Sequence, residues 1–363
     1  MTFKPLNEND IAATRTLLHE AVPLTGTIVS GTYADGNIKT YTHGMFESVF
    51  DYPYLSSSAN HIFDITVGVS EQSALYSSVS EQQSKKKNIY NQMSQVLVGY
   101  DATGSVRRFD EDGDLIGTTT DKMNDVFVLP FSRLLVKDEI KKETFSMTLG
   151  VSASFDQAGG VFDKLITIED LGASTEYRVN SPAGEYGILY ATGSTAGLMN
   201  AASTHTASID GVPYWRAGLI YYQAGIVVLT GSVFGELLAT PTVDMDAVGN
   251  HITGSLTGST IDATADAFRA RLYNVQFNNT TELNSTVYFC RVNHNEFNYS
   301  ANPTYLSGSK IRVKSKSTDN PIAYITTVGL YNDNNELLAT AKLSEPLKKS
   351  SDNEYTLRAR LDY

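Results

Sequence analysis

The sequence predicts a mainly β protein with β-sandwich-like domains, a few helices and a multidomain α+β organisation overall. Three observations predict it. The stretch from Asn278 to Tyr363 alternates apolar and polar residues almost without pause, the period of a strand with one face in and one face out. Turn formers such as Asn332-Asp333-Asn334-Asn335 separate the alternating runs. Only three stretches carry helical spacing, near Ile11, near Ile89 and near Phe268. At 363 residues the chain is long for one domain. Its texture divides it into a mixed α+β domain over 1–154, a Gly/Tyr-rich β domain over 155–243, a linker and helix over 244–275, and a C-terminal β-sandwich-like domain over 276–363.

The elements follow in order. Asn7 or Asn9 is placed to cap a short helix carrying Ile11, Thr14, Leu17 and Leu18, with Pro23 beyond its end. Gly26–Ser30 and Ile38–Thr42 read as strands joined by an Asp35-Gly36-Asn37 hairpin turn. An aromatic run ends at Tyr52-Pro53-Tyr54, and His61–Val69 is a strand. Residues 81–98 form the best helix, with Ile89, Met93, Val96 and Leu97 on one face and Lys85-Lys86-Lys87 on a solvated one. Val126–Phe131 and Phe145–Ser152 are strands, as are Tyr186–Tyr190, Ala217–Tyr222 and Ile226–Thr230. Residues 241–262 read as a long loop, and Ile261–Tyr273 as a helix. Tyr288–Val292, Ile311–Lys314, Ala323–Tyr331, Glu336–Leu343 and Tyr355–Tyr363 complete the C-terminal strands, the last alternating to the final residue.

Composition narrows the function classes. The formal net charge is -12 and the pI is about 5.0, so the surface repels phosphates and no sequence-specific nucleic-acid partner is expected. One cysteine, Cys290, rules out an internal disulfide and makes a thiolate metal site unexpected. No apolar run approaches the ~20 residues of a membrane helix, and no membrane partner is expected. Met1–Asp10 lacks a basic and then apolar leader, so synthesis in a host cytoplasm is expected.

The search for chemistry is negative. The six histidines form no H-E-x-x-H or similar ligand pair. There is no Gly-x-Ser-x-Gly elbow, no P-loop and no dinucleotide fingerprint. His61 and Asp64 lie three apart on a predicted strand, which puts them on opposite faces. The sequons at Asn278, Asn279, Asn284 and Asn298 read as turn and loop residues. Asp110-Glu111-Asp112-Gly113-Asp114 invites a calcium reading. An EF-hand loop has glycine at position six and glutamate at twelve, where this chain has Leu115 and Asp121, so an Asp-Gly turn is favoured. The chain is therefore expected not to be an enzyme, with no catalytic residue, no cofactor and no metal ligand.

Several segments carry a resemblance. They are Asn295–Pro303, Ile325–Leu338, Ala341–Lys349, His61–Gly68 and Leu134–Lys142. These resemble parts of virion structural proteins of tailed bacteriophages, T4-like and marine myoviruses above all. The resemblance is of phrasing in patches over most of the chain. It implies a tail, baseplate or neck subunit of the virion, with other virion structural proteins as partners and homo-oligomerisation in a symmetric ring. Aromatics concentrate at interface cores, which makes Tyr52, Tyr54, Phe297, Tyr299, Tyr305 and Tyr331 the candidate protein–protein contacts. The alternative is a receptor-binding or decoration protein that binds host-surface carbohydrate.

Overall fold

A computed structural model describes residues 3–23, 37–73, 76, 78, 80–115, 121–150, 155–156, 161–162, 165–192, 206–209, 211–234, 260–300, 302–303, 306–308, 310–311, 316 and 318–363. They are mainly β, with few helices and almost wholly antiparallel pairing. None of the described helices is long and apolar enough to cross a membrane. Two compact units emerge: Met1–Leu18 with Glu282–Tyr363, and His19–Thr281. The long strands Ile11–Pro23 and Leu272–Val292 each contribute residues to both.

The His19–Thr281 unit is built on one antiparallel sheet. Its neighbours in order are Leu272 onward, Ser146–Gly150, Leu165–Glu169, Gly184–Thr192, Val212–Tyr221, Ile226–Thr230, Asp125–Pro130, His61–Val69, Glu47–Phe50 and Ile38–Thr40. Ile226–Thr230 pairs with Asp125–Pro130, so residues from both sides of position 154 share this sheet. The central strands are buried on both faces, and period-two alternation sorts their side chains. Phe127, Leu129, Val227 and Leu229 enter one core with Phe234 and Phe268. Val126, Val128 and Val228 enter the other with Tyr90, Tyr186 and Tyr221. Gly218 has a reason to be glycine: a Cβ there would run into the Val228 carbonyl oxygen of the neighbouring strand.

Two helices cover this sheet's unit. Glu81–Leu97 packs where Gly68 lets it approach; a Cβ on Gly68 would stand 3.0 Å from the Tyr90 Cα. Tyr90 Oη donates to the Met123 carbonyl at 2.7 Å and accepts from the Phe109 N–H, which satisfies the buried hydroxyl. The predicted face is right at Ile89 and Leu97 and wrong at Val96, which is exposed. Lys85-Lys86-Lys87 is not a solvated face either. Lys86 is fully buried, burial holding its ammonium pKa down at about 8, and Lys87 pairs with Glu71 at 2.9 Å. Ile261–Ala270 begins at Thr260, whose hydroxyl accepts from the Ala263 N–H, and buries Phe268 against Phe127.

The predicted N-terminal helix is a strand. Asn7 caps only the 3-10 turn Glu8–Asp10, and Ile11–Pro23 is extended. Strand pairing overrides the weak helical spacing here. Glu20 N–H donates to Asn279 Oδ1, and His19 Nδ1 meets Thr280 Oγ1 at 3.2 Å. Asn278, Asn279 and Asn284 are likewise strand residues, not turn residues. Asn279 is buried as a clamp, donating to the Leu135 carbonyl at 2.8 Å. The expected Gly26–Ser30 strand and most of the 241–262 loop lie outside the described residues, as do His205 and His251.

Candidate interaction surface

The Met1–Leu18 and Glu282–Tyr363 unit is built from strands with little to bury. Ile322–Tyr331 and Leu337–Ser350 form a two-stranded ribbon, with Ile322 opposite Ser350 and Tyr331 opposite Leu337. Asn332 shapes its turn: Asn332 Oδ1 accepts from the N–H groups of Asn334 and Glu336, and Asn335 takes φ 60°. Tyr355–Asp362 pairs with Ser285–Val292 along its whole length, with Asp362 bonded to Ser285 Oγ at 2.6 Å.

Among the described residues, both hydrophobic clusters lie within His19–Thr281. Among the described residues of the other unit, the buried hydrophobics are Val287, Val292, Ala323 and Ala359, two of them alanines. Large apolar side chains there face solvent instead: Phe3, Leu283, Tyr324 (54%), Leu338 (67%) and Tyr363 (75%) among them. The ribbon shows no buried face along most of its length. An isolated two-stranded ribbon is marginal in water, and unpaired strand edges template further pairing. Such a surface is suited to being covered by another protein surface.

Polar ties hold the aromatic turn of this unit. Lys349 is fully buried, and its Nζ donates to the His294 carbonyl (3.1 Å), Asn298 Oδ1 (2.7 Å) and the Ser350 carbonyl (2.7 Å). Burial lowers its ammonium pKa. The first two acceptors pin the 293–299 turn to the end of the Leu337–Ser350 strand, and the third lies on that strand itself. Phe297 takes φ 53° in that turn and is half-buried, while Tyr299 is exposed. Arg291 and Lys4 reinforce the unit's ends, pairing with Asp10 and Glu296 at 2.6 Å each. The bond from the Asn7 N–H, with Arg291 beside it, holds the Asp10 carboxyl below the usual range.

The six predicted contact residues fare differently. Phe297, Tyr299 and Tyr331 belong to this unit. Tyr331 is half-buried and meets the edge of Phe3 at 5.1 Å. Tyr52 and Tyr54 are exposed but belong to the His19–Thr281 unit, where Tyr54 lies beside Phe50. Tyr305 lies outside the described residues. Sequence reasoning missed Tyr324, Leu338 and the buried Lys349. The one signal for the first two was a strand with too few residues of opposite polarity, since adjacent Leu337 and Leu338 cannot share a face.

A second polar group corrects the sequence reading. His61 Nε2 and Asp64 Oδ1 are 2.8 Å apart, although strict alternation separates them. The pairing of His61–Val69 with Glu47–Phe50 shifts register between Val49 and Phe50, leaving Ile62 bulged. One extra residue returns His61 and Asp64 to one side, while Ile62 and Phe63 are both buried. Ser48 Oγ donates to the same Asp64 Oδ1 at 2.5 Å. The order is therefore serine, carboxylate, histidine. In a nucleophilic triad the histidine stands between, taking the serine proton. Here the hydroxyl donates to a carboxylate, which is the chemistry of a structural tie.

No known family model, curated protein or solved structure matches this chain.

Proposed function

We propose that this chain is a structural component of a tailed phage virion, a tail, baseplate or neck subunit that joins copies of itself and neighbouring virion proteins in a symmetric ring. One observation carries the assembly part of the reading. The Met1–Leu18 and Glu282–Tyr363 unit exposes large apolar side chains on long strands and, among the described residues, owns no hydrophobic cluster. Burying such side chains against a partner is favourable by roughly 25 cal/mol per Å². The segments resembling phage structural proteins direct the reading to the virion, and three of them, Asn295–Pro303, Ile325–Leu338 and Ala341–Lys349, lie in this same unit.

Sedimentation velocity of the purified chain tests it. A discrete closed oligomer, dissolved to monomer by Tyr324→Ser with Leu338→Ser, supports assembly through this surface. A monomer at all concentrations, with saturable binding on a glycan array, contradicts it and supports the carbohydrate-binding alternative.

A further inference from the structure

The Asp110–Asp114 turn belongs to the His19–Thr281 unit. It leaves the short strand Phe109–Asp110, which pairs with Lys122–Met123. One carboxylate oxygen each from Asp110, Asp112 and Asp114 lies within 4.8 Å of the others. Convergence alone is common on acidic surfaces. A second observation separates this cluster from those: the Asp110 side chain is wholly buried, and its two oxygens are treated differently. Oδ2 accepts from the Leu115 N–H at 2.9 Å and from Lys122 Nζ at 2.5 Å. Oδ1 is buried with no hydrogen-bond partner. A buried carboxylate oxygen without a donor is costly, and it calls for a cation or a proton.

We propose that Asp110 Oδ1, Asp112 and Asp114 bind a calcium ion. The donor set is oxygen alone, with no histidine or cysteine, which selects a hard cation. Calcium accepts six to eight oxygens in flexible geometry, whereas magnesium demands near-ideal octahedra. Burial grades from Asp110, enclosed, through Asp112 to Asp114, exposed, so an ion enters from the Asp114 side and water completes its shell there. Lys122 stays on Oδ2, and Arg216 stands 3.9 Å from Asp112 Oδ2, at the limit of an ion pair. The backbone is compatible. Leu115, sixth from Asp110, holds φ 60°, the left-handed conformation for which an EF-hand loop uses glycine. The sequence mismatch at that position is thus absorbed by the chain. The Gly113 carbonyl is fixed by Tyr186 Oη at 3.0 Å, which also places a tyrosine ring beside the cluster.

The test uses the full chain stripped with a chelator. Terbium is titrated with excitation through tyrosine, then displaced with calcium chloride, and calcium heats are read by calorimetry. The expected result is one saturable site with a dissociation constant on the order of 10⁻⁵–10⁻³ M, weakened about tenfold or more in Asp112→Asn and in Asp114→Asn. Both positions lie outside the hydrophobic cores, and far-UV circular dichroism checks their folding. Asp110→Asn is a secondary variant, because it disturbs the Lys122 tie as well. Absence of saturable calcium binding by folded wild type up to about 10⁻² M overturns the proposal. So does unchanged affinity in both surface variants, or displacement of terbium by magnesium as effective as by calcium.

Discussion

Glu47 is the group whose perturbation tests the energetics of the fold most sharply. It lies on the Glu47–Phe50 strand at 1% exposure, and neither of its carboxyl oxygens accepts a well-aligned hydrogen bond. Asp266 and Asp262, four apart on the Ile261–Ala270 helix, face it, with Thr40 on the adjoining strand and Arg269 beside Asp266. Burial first and the Asp266 charge second push Glu47 from 4.5 up to about 8; burial and Asp262 push Asp266 up to about 6. The folded protein therefore holds protons between pH 4.5 and 8 that the unfolded chain has released. The stability this contributes is complete below pH 4.5 and is lost as pH rises through about 8. At about 1.4 kcal/mol per pH unit, the gap between 4.5 and 8 sets a ceiling of about 5 kcal/mol. Asp170, pushed by burial to about 7, adds a slope of the same sign. Lys86 opposes only above about pH 8, because below that it is charged in both states. Glu47→Gln removes the largest slope. Thermal melts from pH 5 to 9 are the assay. Wild type is expected to lose about 10–20 °C across that range, and the variant to lose markedly less and to exceed wild type at pH 9. A wild-type stability that is flat or rising from pH 5 to 8, or a variant with the wild-type slope, refutes the reasoning.

Other outcomes follow from single residues. Lys349→Met leaves the His294, Asn298 and Ser350 oxygens without their donor, and is expected to cost about 2–4 kcal/mol and open the 293–299 turn to proteolysis, read by mass spectrometry of the fragments. Gly218→Ala drives a methyl group into the Val228 carbonyl and is expected to lower the denaturant midpoint by an amount equivalent to 3 kcal/mol or more, about as much as severe overpacking. Tyr324→Ser with Leu338→Ser is expected to leave the monomer's melting within about 1 kcal/mol of wild type, since both side chains face solvent, while abolishing self-association in sedimentation.

Much of the β architecture was legible because its central strands obey one rule. Ile226–Thr230 is found where the apolar run predicts it, and the His61–Val69 strand has the bounds read from the sequence. The misses share a different cause. Ile11–Leu18 has helical spacing by accident of composition, and only a partner strand distant in sequence decides its conformation. Lys86 reads as solvated because burial of a lysine is set by its surroundings, not by its neighbours in a charged run. His61 and Asp64 meet only because Ile62 is bulged, and nothing local marks the bulge. The exposed apolar surface was half legible. Aromatic residues in turns were visible, but Tyr324 and Leu338 look like core residues until the strands are seen to lack a second layer. Leu115 shows the converse for the acidic turn, since its left-handed backbone cannot be read from a leucine.

The central claim is that this chain is built to be covered by neighbours in a phage tail. Gold-labelled antibody against it, applied to intact particles of a phage carrying this gene and viewed by electron microscopy, tests that claim most directly. The account predicts label at the distal end of the tail or at the head–tail junction. Label spread over the capsid, or particles carrying none, contradicts it.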